Sequence, residues 1–389
     1  MNGQWIGNIL YHKNTCIILN LEPKDKSYEG RFILLFLKNQ NLVSLVTEVK
    51  INKKDFNRNN GIFKGKLYNF LPISPENGLV GSWEDTNTPK DKIPKRGEIK
   101  GCCKKNKITG ECKTNGDKKY IKYKLYFYSS NKPSKPSKYT SEKISWEYFK
   151  YMVTKYYQHS KYIFRGQAGT KDGKQWRLRT SFHNIGRTDY FRYRDEDIPE
   201  LYRIISAFPD CKFDLDKPQE YNSLLALARH HDYPSPLIDW THSPYIAAYF
   251  AFSATSKDTK DGCVRIFVFN LDKWKREADL LNKIDKKTFS LLNCAWPGFS
   301  HLEALAIGNN RLLPQQSVTM FSNIDDIESY IDFLECKTNK TNERYLGIFD
   351  LPVKDRTKAM RDLDSMGITA ASLFPGLDGT CKALKEKYF

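Results

Sequence analysis

The sequence predicts two domains of unlike class, an all-β small barrel or sandwich followed by an α+β domain. Three observations carry that prediction. Residues 1–128 break into short runs of β-branched and aromatic residues without helical periodicity, residues from 146 onward mix helical spacing with isolated strands, and charge differs sharply between the two parts. A chain of 389 residues is long enough to bury two cores.

The N-terminal runs fall at 4–10, 15–21, 31–37, 42–49, 62–68, 79–83 and 120–128, parted by turn-forming clusters such as Lys38-Asn39-Gln40-Asn41. In Tyr120-Ile121-Lys122-Tyr123-Lys124-Leu125 apolar residues alternate with lysine, which suits a strand with one buried and one solvated face. About seven to nine such strands make an antiparallel barrel or sandwich. The following Pro/Ser/Lys run, Ser129-Ser130-Asn131-Lys132-Pro133-Ser134-Lys135-Pro136-Ser137-Lys138, neither packs nor holds a helix. Residues 129–140 are therefore expected to link a domain at 1–128 to one at 141–389.

Beyond the linker, Trp146, Phe149, Met152/Val153 and Tyr156 recur at helical spacing behind Ser145, whose hydroxyl suits an N-cap. A strand is expected at 162–165 and a second helix at 220–230, with Tyr221, Leu224, Leu225 and Ala228 on one face. Ser243 and Pro244 form a cap and first-turn pair for a third helix at 244–253. Strands follow at 264–271, 317–322 and 344–350, and a helix at 353–366 ends at Gly367, a left-handed C′ position. Strands and helices mix without regular βαβ alternation, hence the α+β class.

Net charge is +18, and its distribution is uneven. Residues 1–140 hold 27 Lys/Arg against 12 Asp/Glu, residues 141–389 hold 36 against 33. The excess is densest at 88–138, with 16 basic against 4 acidic residues interleaved with Tyr120, Tyr123, Tyr126, Phe127 and Tyr128. Lysines neutralise phosphates and aromatic rings stack on bases, so Lys104, Lys105, Lys118, Lys119, Lys122 and Lys124 are the expected contacts to nucleic acid or another polyanion. A Lys-rich surface that serves only solubility is the plainer alternative, and the near-neutral second part weighs against it.

Nine cysteines at irregular spacing point to reduced thiols rather than a disulfide framework. Cys102, Cys103 and Cys112 have neither C-x-x-C spacing nor a nearby histidine, so no metal is expected, while the surrounding lysines would draw these thiols toward the thiolate. No apolar run approaches the roughly 18 residues of a membrane span, and Met1-Asn2-Gly3-Gln4-Trp5 has no signal-peptide character. The expectation is a soluble, cytoplasmic protein with no membrane partner.

Three motifs stand out in the second part: Tyr162-Ile163-Phe164-Arg165-Gly166-Gln167; Leu237-Ile238-Asp239-Trp240-Thr241-His242-Ser243-Pro244, then Ala247, Ala248, Phe250 and Ala251; and Leu373-Phe374-Pro375-Gly376-Leu377-Asp378-Gly379. Read on its own, Arg165 ends an apolar strand beside a glycine that lets backbone approach a ligand, and its planar fork suits a phosphate or pyrophosphate. The structural alternative is an ion pair with Asp239. For the second motif the bland reading has Ser243 capping a helix, Trp240 in a core and Asp239 accepting hydrogen bonds.

With those motifs in that order, residues from about 140 to 389 resemble the FRG domain family of bacterial and phage proteins, named for its Phe/Tyr-Arg-Gly strand end. The resemblance implies a part in bacterial defence against phage or a toxin-like response, with a phage-derived trigger among the partners. The same half is similar to ADP-ribosyltransferase-like folds, which place an arginine on the first strand of an NAD site, a Ser/Thr-x-Ser turn on a later strand, and then a helix of small and aromatic residues. Arg165, Thr241-His242-Ser243 and Ala247, Ala248, Phe250 and Ala251 keep that order. This likeness implies NAD as substrate, held by Arg165, Gly166, Gln167, Asp239, Thr241, Ser243 and Phe250.

Such enzymes usually carry a catalytic glutamate on a late strand, whereas the matching stretch here has Gln315 and Gln316 and no glutamate, Glu303 being the nearest carboxylate. Gln315 or Gln316 would position the acceptor. His231 matches the family histidine and would serve as auxiliary acid or base, since histidine titrates near neutrality; its plainer role is to bond local carbonyls at a helix end. Three functions stay open at this point. The chain is an NAD-using ADP-ribosyltransferase or NAD glycohydrolase directed by a basic recognition domain, a non-catalytic nucleotide- or nucleic-acid-binding module, which the missing glutamate favours, or a metal-independent nuclease using His231 and Arg165.

Overall fold

The structure is a computed structural model that describes every residue except 11–13, 37–42, 83, 87, 116–119, 130–136, 138, 158–159, 170–176, 256–258, 260, 279–293, 339–343 and 389. Eight N-terminal strands, β1 Gly3–Ile9, β2 Thr15–Pro23, β3 Ser27–Phe36, β4 Leu45–Asn52, β5 Ile62–Pro72, β6 Arg96–Lys104, β7 Lys107–Asn115 and β8 Tyr120–Ser129, follow one another around a closed barrel. Every neighbouring pair is antiparallel, and β8 returns to β1. The expected run at 79–83 is not a strand: Val80 and Leu79 make isolated bridges to Ile73 and Cys294, and Trp83 lies outside the described residues.

Side chains alternate across a strand, so each barrel strand has an inner and an outer set. The inner set is largely apolar, with Ile17, Leu19, Phe32, Leu34, Phe63, Ile99, Ile108 and Phe127 in one cluster. The outer set divides the barrel into two arcs. On β2, β3 and β4 the outward Ile18, Ile33, Leu35 and Val46 are buried in a second cluster with Phe182, Tyr190, Phe191 and Leu237 of the C-terminal half. Burial on both faces explains why β2 and β3 read as nearly continuous apolar runs. On β5 to β8 the outward positions carry the exposed lysines 64, 66, 100, 104, 107, 113 and 124.

Cys103 and Cys112 belong with the inner set, and their lysine neighbours do not govern them. Burial pushes the Cys112 thiol up to about 12 and raises Cys103 as well, the reverse of the thiolate shift expected from the surrounding charge. All nine cysteines are free. Among the described residues no group of three or more His, Cys, Asp or Glu is placed to hold a metal ion, and no helix is long and apolar enough to cross a membrane.

The C-terminal half is built on a six-stranded antiparallel sheet of β9 Tyr162–Gln167, β10 Leu237–Thr241, β11 Cys263–Asn270, β12 Phe299–Leu302, β13 Ser317–Ser322 and β14 Leu346–Pro352, in the order β12-β13-β10-β9-β11-β14. Its helices are α1 Trp146–Tyr156, α2 Ser181–Asn184, α3 Tyr190–Arg192, α4 Ile198–Ile205, α5 Pro218–His230 and α6 Pro244–Ser253. Past β11 come α7 Leu271–Glu277, α8 Ile327–Thr338, α9 Arg356–Ser365, α10 Ala370–Leu373 and α11 Leu377–Tyr388. One sheet face packs Phe164, Ile266 and Val268 against α1, α6 and α9. The other packs Trp240, Phe267 and Phe269 against Trp274 of α7 and Ile327 and Ile331 of α8. Ser145 caps α1, Ser243 caps α6, and Gly367 follows α9 with φ +76°.

Of the expected linker, residues 130–136 and 138 lie outside the described residues, while Ser137 bonds Glu328 at 3.0 Å and the Tyr139 hydroxyl bonds Asp332 at 2.5 Å, both on α8. The docked arc of the barrel adds polar contacts. Buried Glu22 of β2 accepts from Arg187 Nε at 3.0 Å, Arg192 Nη1 at 3.3 Å and the backbone N–H groups of Thr188 and Asp189 at 2.8 and 2.9 Å. A buried carboxylate is tolerable because its lone pairs are used in this way.

Asp189, beside it, is less well served. Burial pushes its carboxyl up to about 6, Glu22 adding to the rise and Arg31 opposing it. An acid raised in the folded state withdraws stability as pH climbs from its unfolded value near 4 through 6. Asp189→Asn keeps the side-chain acceptor that holds the Arg192 N–H at 3.2 Å. It should therefore stabilise the protein by about 2 kcal/mol at pH 7.5 and by almost nothing at pH 4. Thermal melts at the two pH values check this, and an equal gain at both would show that the carboxyl is not desolvated.

Candidate functional site

The sheet forks between β9 and β10. Among the described residues the two strands pair only at Thr241 and Phe164. Past that point β9 runs on through Arg165, Gly166 and Gln167 beside β11, and β10 through Trp240 and Asp239 beside β13. A cleft of about 790 Å³ opens in the fork. Its floor is β9 and β10, and its walls come from the end of α5, from α6, from the segment before α2 and from the chain before β13.

Gly166 makes this arrangement possible, for a reason other than the one expected. A Cβ there would lie 1.8 Å from the Ala247 carbonyl oxygen and 2.9 Å from the Ala251 nitrogen. The glycine thus lets α6 lie directly on β9, with Ala247 and Ala251 on the other side of that contact. Arg-Gly and the small-residue helix are two parts of one packing device, with the backbone of Gly166 bordering the cleft.

Arg165 is carried to the cleft edge by that strand. Its Nη1 donates to the Asp239 backbone carbonyl at 2.7 Å, while its enclosed Nε has no hydrogen-bond partner among the described residues. Burial lowers its pKa to about 10, with Asp239 opposing and Arg229 reinforcing the shift, so it stays cationic at neutral pH. The alternative pairing of Arg165 with the Asp239 carboxylate is not what forms. That carboxylate faces Arg229 of α5, 3.2 Å from Nε.

Three more guanidiniums line the cleft. Arg179 meets Asp325 through two nitrogens, with Nη2 to Oδ2 at 3.0 Å, and Arg177 Nη2 reaches the same carboxylate at 3.4 Å. Arg311 donates to the His230 carbonyl and lies 5.4 Å over the Phe374 ring. Set against these five arginines, the acidic side chains lining the cleft among the described residues are Asp232 and Asp239, so the described lining is cationic. An apolar corner is made by Phe250 and Phe374, edge to face at 5.9 Å. His230 completes the wall with its Nδ1 2.9 Å from Asn309 Oδ1.

Arg165, Gly166, Gln167, Asp239, Thr241, Phe250 and Gln315 all line the cleft. Ser243 does not; its hydroxyl accepts from the Ile246 N–H at 3.3 Å and its own N–H donates to Thr241 Oγ1 at 3.1 Å. His231 is exposed at the C-cap of α5, and the cleft position belongs to His230. Gln315 is buried and donates to the Leu373 carbonyl at 2.9 Å. Gln316, at φ +47°, and Glu303 are both exposed and outside the lining. Both glutamines precede β13 rather than lying on it, so strand alternation does not decide between them. Sequence reasoning missed Arg177, Arg179, Arg229 and Arg311. For the first two a signal existed, since in Arg177-Leu178-Arg179 a buried leucine leaves both arginines on the opposite side.

Residues 160–260 match the FRG domain family. The chain carries an FRG domain. The match runs from just before β9 to just before β11, so it contains both arms of the fork together with α5 and α6, and is narrower than the stretch from about 140 to 389 that the motifs suggested. Arg311, Gln315 and Phe374 complete the FRG cleft from outside it. No curated protein matches the chain.

The Gly166 contact has a direct test. Gly166→Ala forces a backbone shift between β9 and α6 and should cost about 3 kcal/mol of stability. Thermal unfolding of the purified variant measures this, and a melting temperature close to that of the parent protein would mean that β9 and α6 are not in such close contact.

Proposed function

We propose that the FRG cleft holds a nucleotide by its pyrophosphate, that this nucleotide is NAD, and that the chain cleaves the nicotinamide–ribose bond as an ADP-ribosyltransferase or NAD glycohydrolase. The observation that carries the reading is the cationic fork, with Arg165 keeping an enclosed, unpartnered N–H donor at its edge. Guanidinium forks match phosphate oxygens two at a time, and the cleft is of nucleotide size, pockets for such ligands running from roughly 300 to 1,000 Å³. The Phe250–Phe374 corner offers a surface for a base or for nicotinamide.

In this reading the C1′–N bond breaks and its electron pair goes to the nicotinamide ring nitrogen, cancelling the pyridinium charge. Positive charge builds on the ribose, where the Asp239 carboxylate offsets it. Water or an acceptor hydroxyl then adds its oxygen to C1′ and gives up its proton, for which His230 Nε2 is the available base, Nδ1 being engaged by Asn309. Asp239 thus takes the part that the sequence offered no glutamate to fill.

A second reading has a specific support. Arg229 lies against Asp239 and the amide of Gln315 is spent on the Leu373 carbonyl, an arrangement that suits holding a nucleotide without turning it over. The full chain incubated with labelled NAD, with and without DNA or RNA, separates the readings through nicotinamide release and label transfer. Bound but intact NAD favours the holding module, and nucleic acid cut without NAD favours a nuclease. Arg165→Lys keeps the charge and loses the two-point fork, so it should weaken NAD binding by a factor of about ten or more at an unchanged melting temperature. Undiminished binding would remove Arg165 from the clamp.

We further propose that the lysine arc of the barrel recruits nucleic acid or another polyanion, and that the chain serves in defence against phage or in a toxin-like response, as the likeness to FRG proteins implies. Lys104, Lys105 and Lys124 are exposed, Lys118 and Lys119 lie outside the described residues together with the side chain of Lys122, and Lys107 sits 5.5 Å over the exposed ring of Tyr128. If about four to six of these side chains meet phosphates, binding by the full chain should show a log–log salt slope of roughly −3 to −5. Replacing Lys100, Lys104, Lys113 and Lys124 by Gln should flatten the slope with little change in melting temperature, since exposed charges contribute little to folding. Salt-independent binding would make the lysines a solubility feature.

A further inference from the structure

We propose that Gln4, on the first strand of the barrel, is a positioning residue for the Arg177–Arg179 pair in the FRG cleft. The inference rests on the reading of that cleft as an anion site. Gln4 pairs with Asn20 across β1 and β2 and projects from the docked arc, where it is 0% exposed. Its Nε2 donates to the Asn323 carbonyl at 2.8 Å and to Asn20 Oδ1 at 3.1 Å, and its Oε1 accepts from the Asp325 N–H at 3.0 Å. One amide therefore grips both ends of the 323–325 turn. The carboxylate of that same Asp325, also 0% exposed, is what Arg177 and Arg179 share.

The backbone between the two arginines is tied to the same place, since the Leu178 N–H donates to Glu328 on α8 at 2.8 Å. The turn is held from its other side by Asn323, which accepts from the Gly298 N–H at 2.9 Å and donates to the Trp296 carbonyl at 2.8 Å. Gln4, Asn20, Asn323, Asp325 and Glu328 are all buried, so a hydrogen bond lost among them is not readily replaced by water and the turn must shift to recover it. Movement of the turn moves the carboxylate, and with it two of the five guanidiniums in the cleft. Glutamine fits the role because it offers a donor and an acceptor at one distance. Methionine has no donor and only a weak thioether acceptor, and asparagine is a methylene too short.

The test measures binding of pyrophosphate, ADP and NAD to the full chain at a temperature where every variant is folded. Gln4→Met should raise the Kd of these probes about tenfold, the usual cost of loosening a group that orients a binding residue. In a chain that already carries both Arg177→Lys and Arg179→Lys, the same change should add almost nothing, because it acts through those two side chains. Leu35→Ala, which opens a cavity in the same interface, should lower the melting temperature and leave Kd unchanged. If Gln4→Met does not fold, Gln4→Asn carries the measurement with the same expected direction. An unchanged Kd for the Gln4 variant, losses that add to those of the chain carrying both Arg177→Lys and Arg179→Lys, or an equal loss in Leu35→Ala would each overturn the proposal. A parent protein that binds none of the three probes would overturn the cleft reading, and this inference with it.

Discussion

The absence of a side chain at Gly166 sets the rest of the C-terminal sheet in place. Because α6 lies against the backbone of β9, Arg165 is directed away from that helix, and the sheet is left free to part beyond the Thr241–Phe164 pair. Had β10 stayed hydrogen-bonded to β9, Trp240 and Asp239 would have closed over the space that the cleft now occupies. The fork leaves backbone groups without ladder partners, and one of them, the Asp239 carbonyl, is satisfied by Arg165 itself. The arginine thus both replaces a missing rung of the sheet and presents its remaining donors to the cleft.

Charge burial follows one rule almost everywhere else. Arg265 and Asp350 face each other across β11 and β14 at 2.7 and 2.8 Å, Arg177 and Arg179 share Asp325, and Arg187 and Arg192 share Glu22. Desolvating an ion is costly unless a partner with good geometry accompanies it, so these pairs hold segments in register more than they add net stability. Arg165 departs from the rule, being enclosed with a carbonyl for a partner and carrying a pKa lowered to about 10. A half-buried cation so weakly compensated is where a bound anion would gain most, because part of the desolvation cost has already been met in folding.

How much of this was legible varied with where the physical signal lies. Strands with apolar inner faces, β1 to β5 and β8, were readable from composition and alternation. β6 and β7 were not, because their inner positions include Gly97, Gly101, Gly110 and Thr114, which leave no apolar period; the glycines are there because the strands come close, a Cβ at Gly101 lying 2.5 Å from the Thr109 carbonyl oxygen. The Arg-Gly strand end and the Ser243–Pro244 cap were visible locally. The arginines beyond Arg165 were harder, since they come from three further segments that only the tertiary fold brings together. The placing of His231 turns on a detail of helix termination. The chain leaves helical geometry at His231, with φ −101° and ψ 28°, and turns at Asp232 with φ +61°, which carries the second histidine out to solvent and leaves the first on the cleft wall.

The two arcs of the barrel give these local facts a direction. Ile18, Ile33, Leu35 and Val46 make the docked arc part of the same core that supports α2, α3 and α5, so this interface is a continuation of the fold and not a contact between separate bodies. A small displacement of β1 or β2 is therefore not absorbed by sliding, since packed cores shift between discrete arrangements rather than deforming smoothly. Through Gln4 the end of that core reaches the turn whose carboxylate anchors two cleft arginines, while the opposite arc turns its lysines to solvent. A closed barrel has no free edge, each strand being hydrogen-bonded to a neighbour on both sides. Gln4 is thus the point at which the barrel meets the support of the cleft arginines, through the backbone on either side of Asp325.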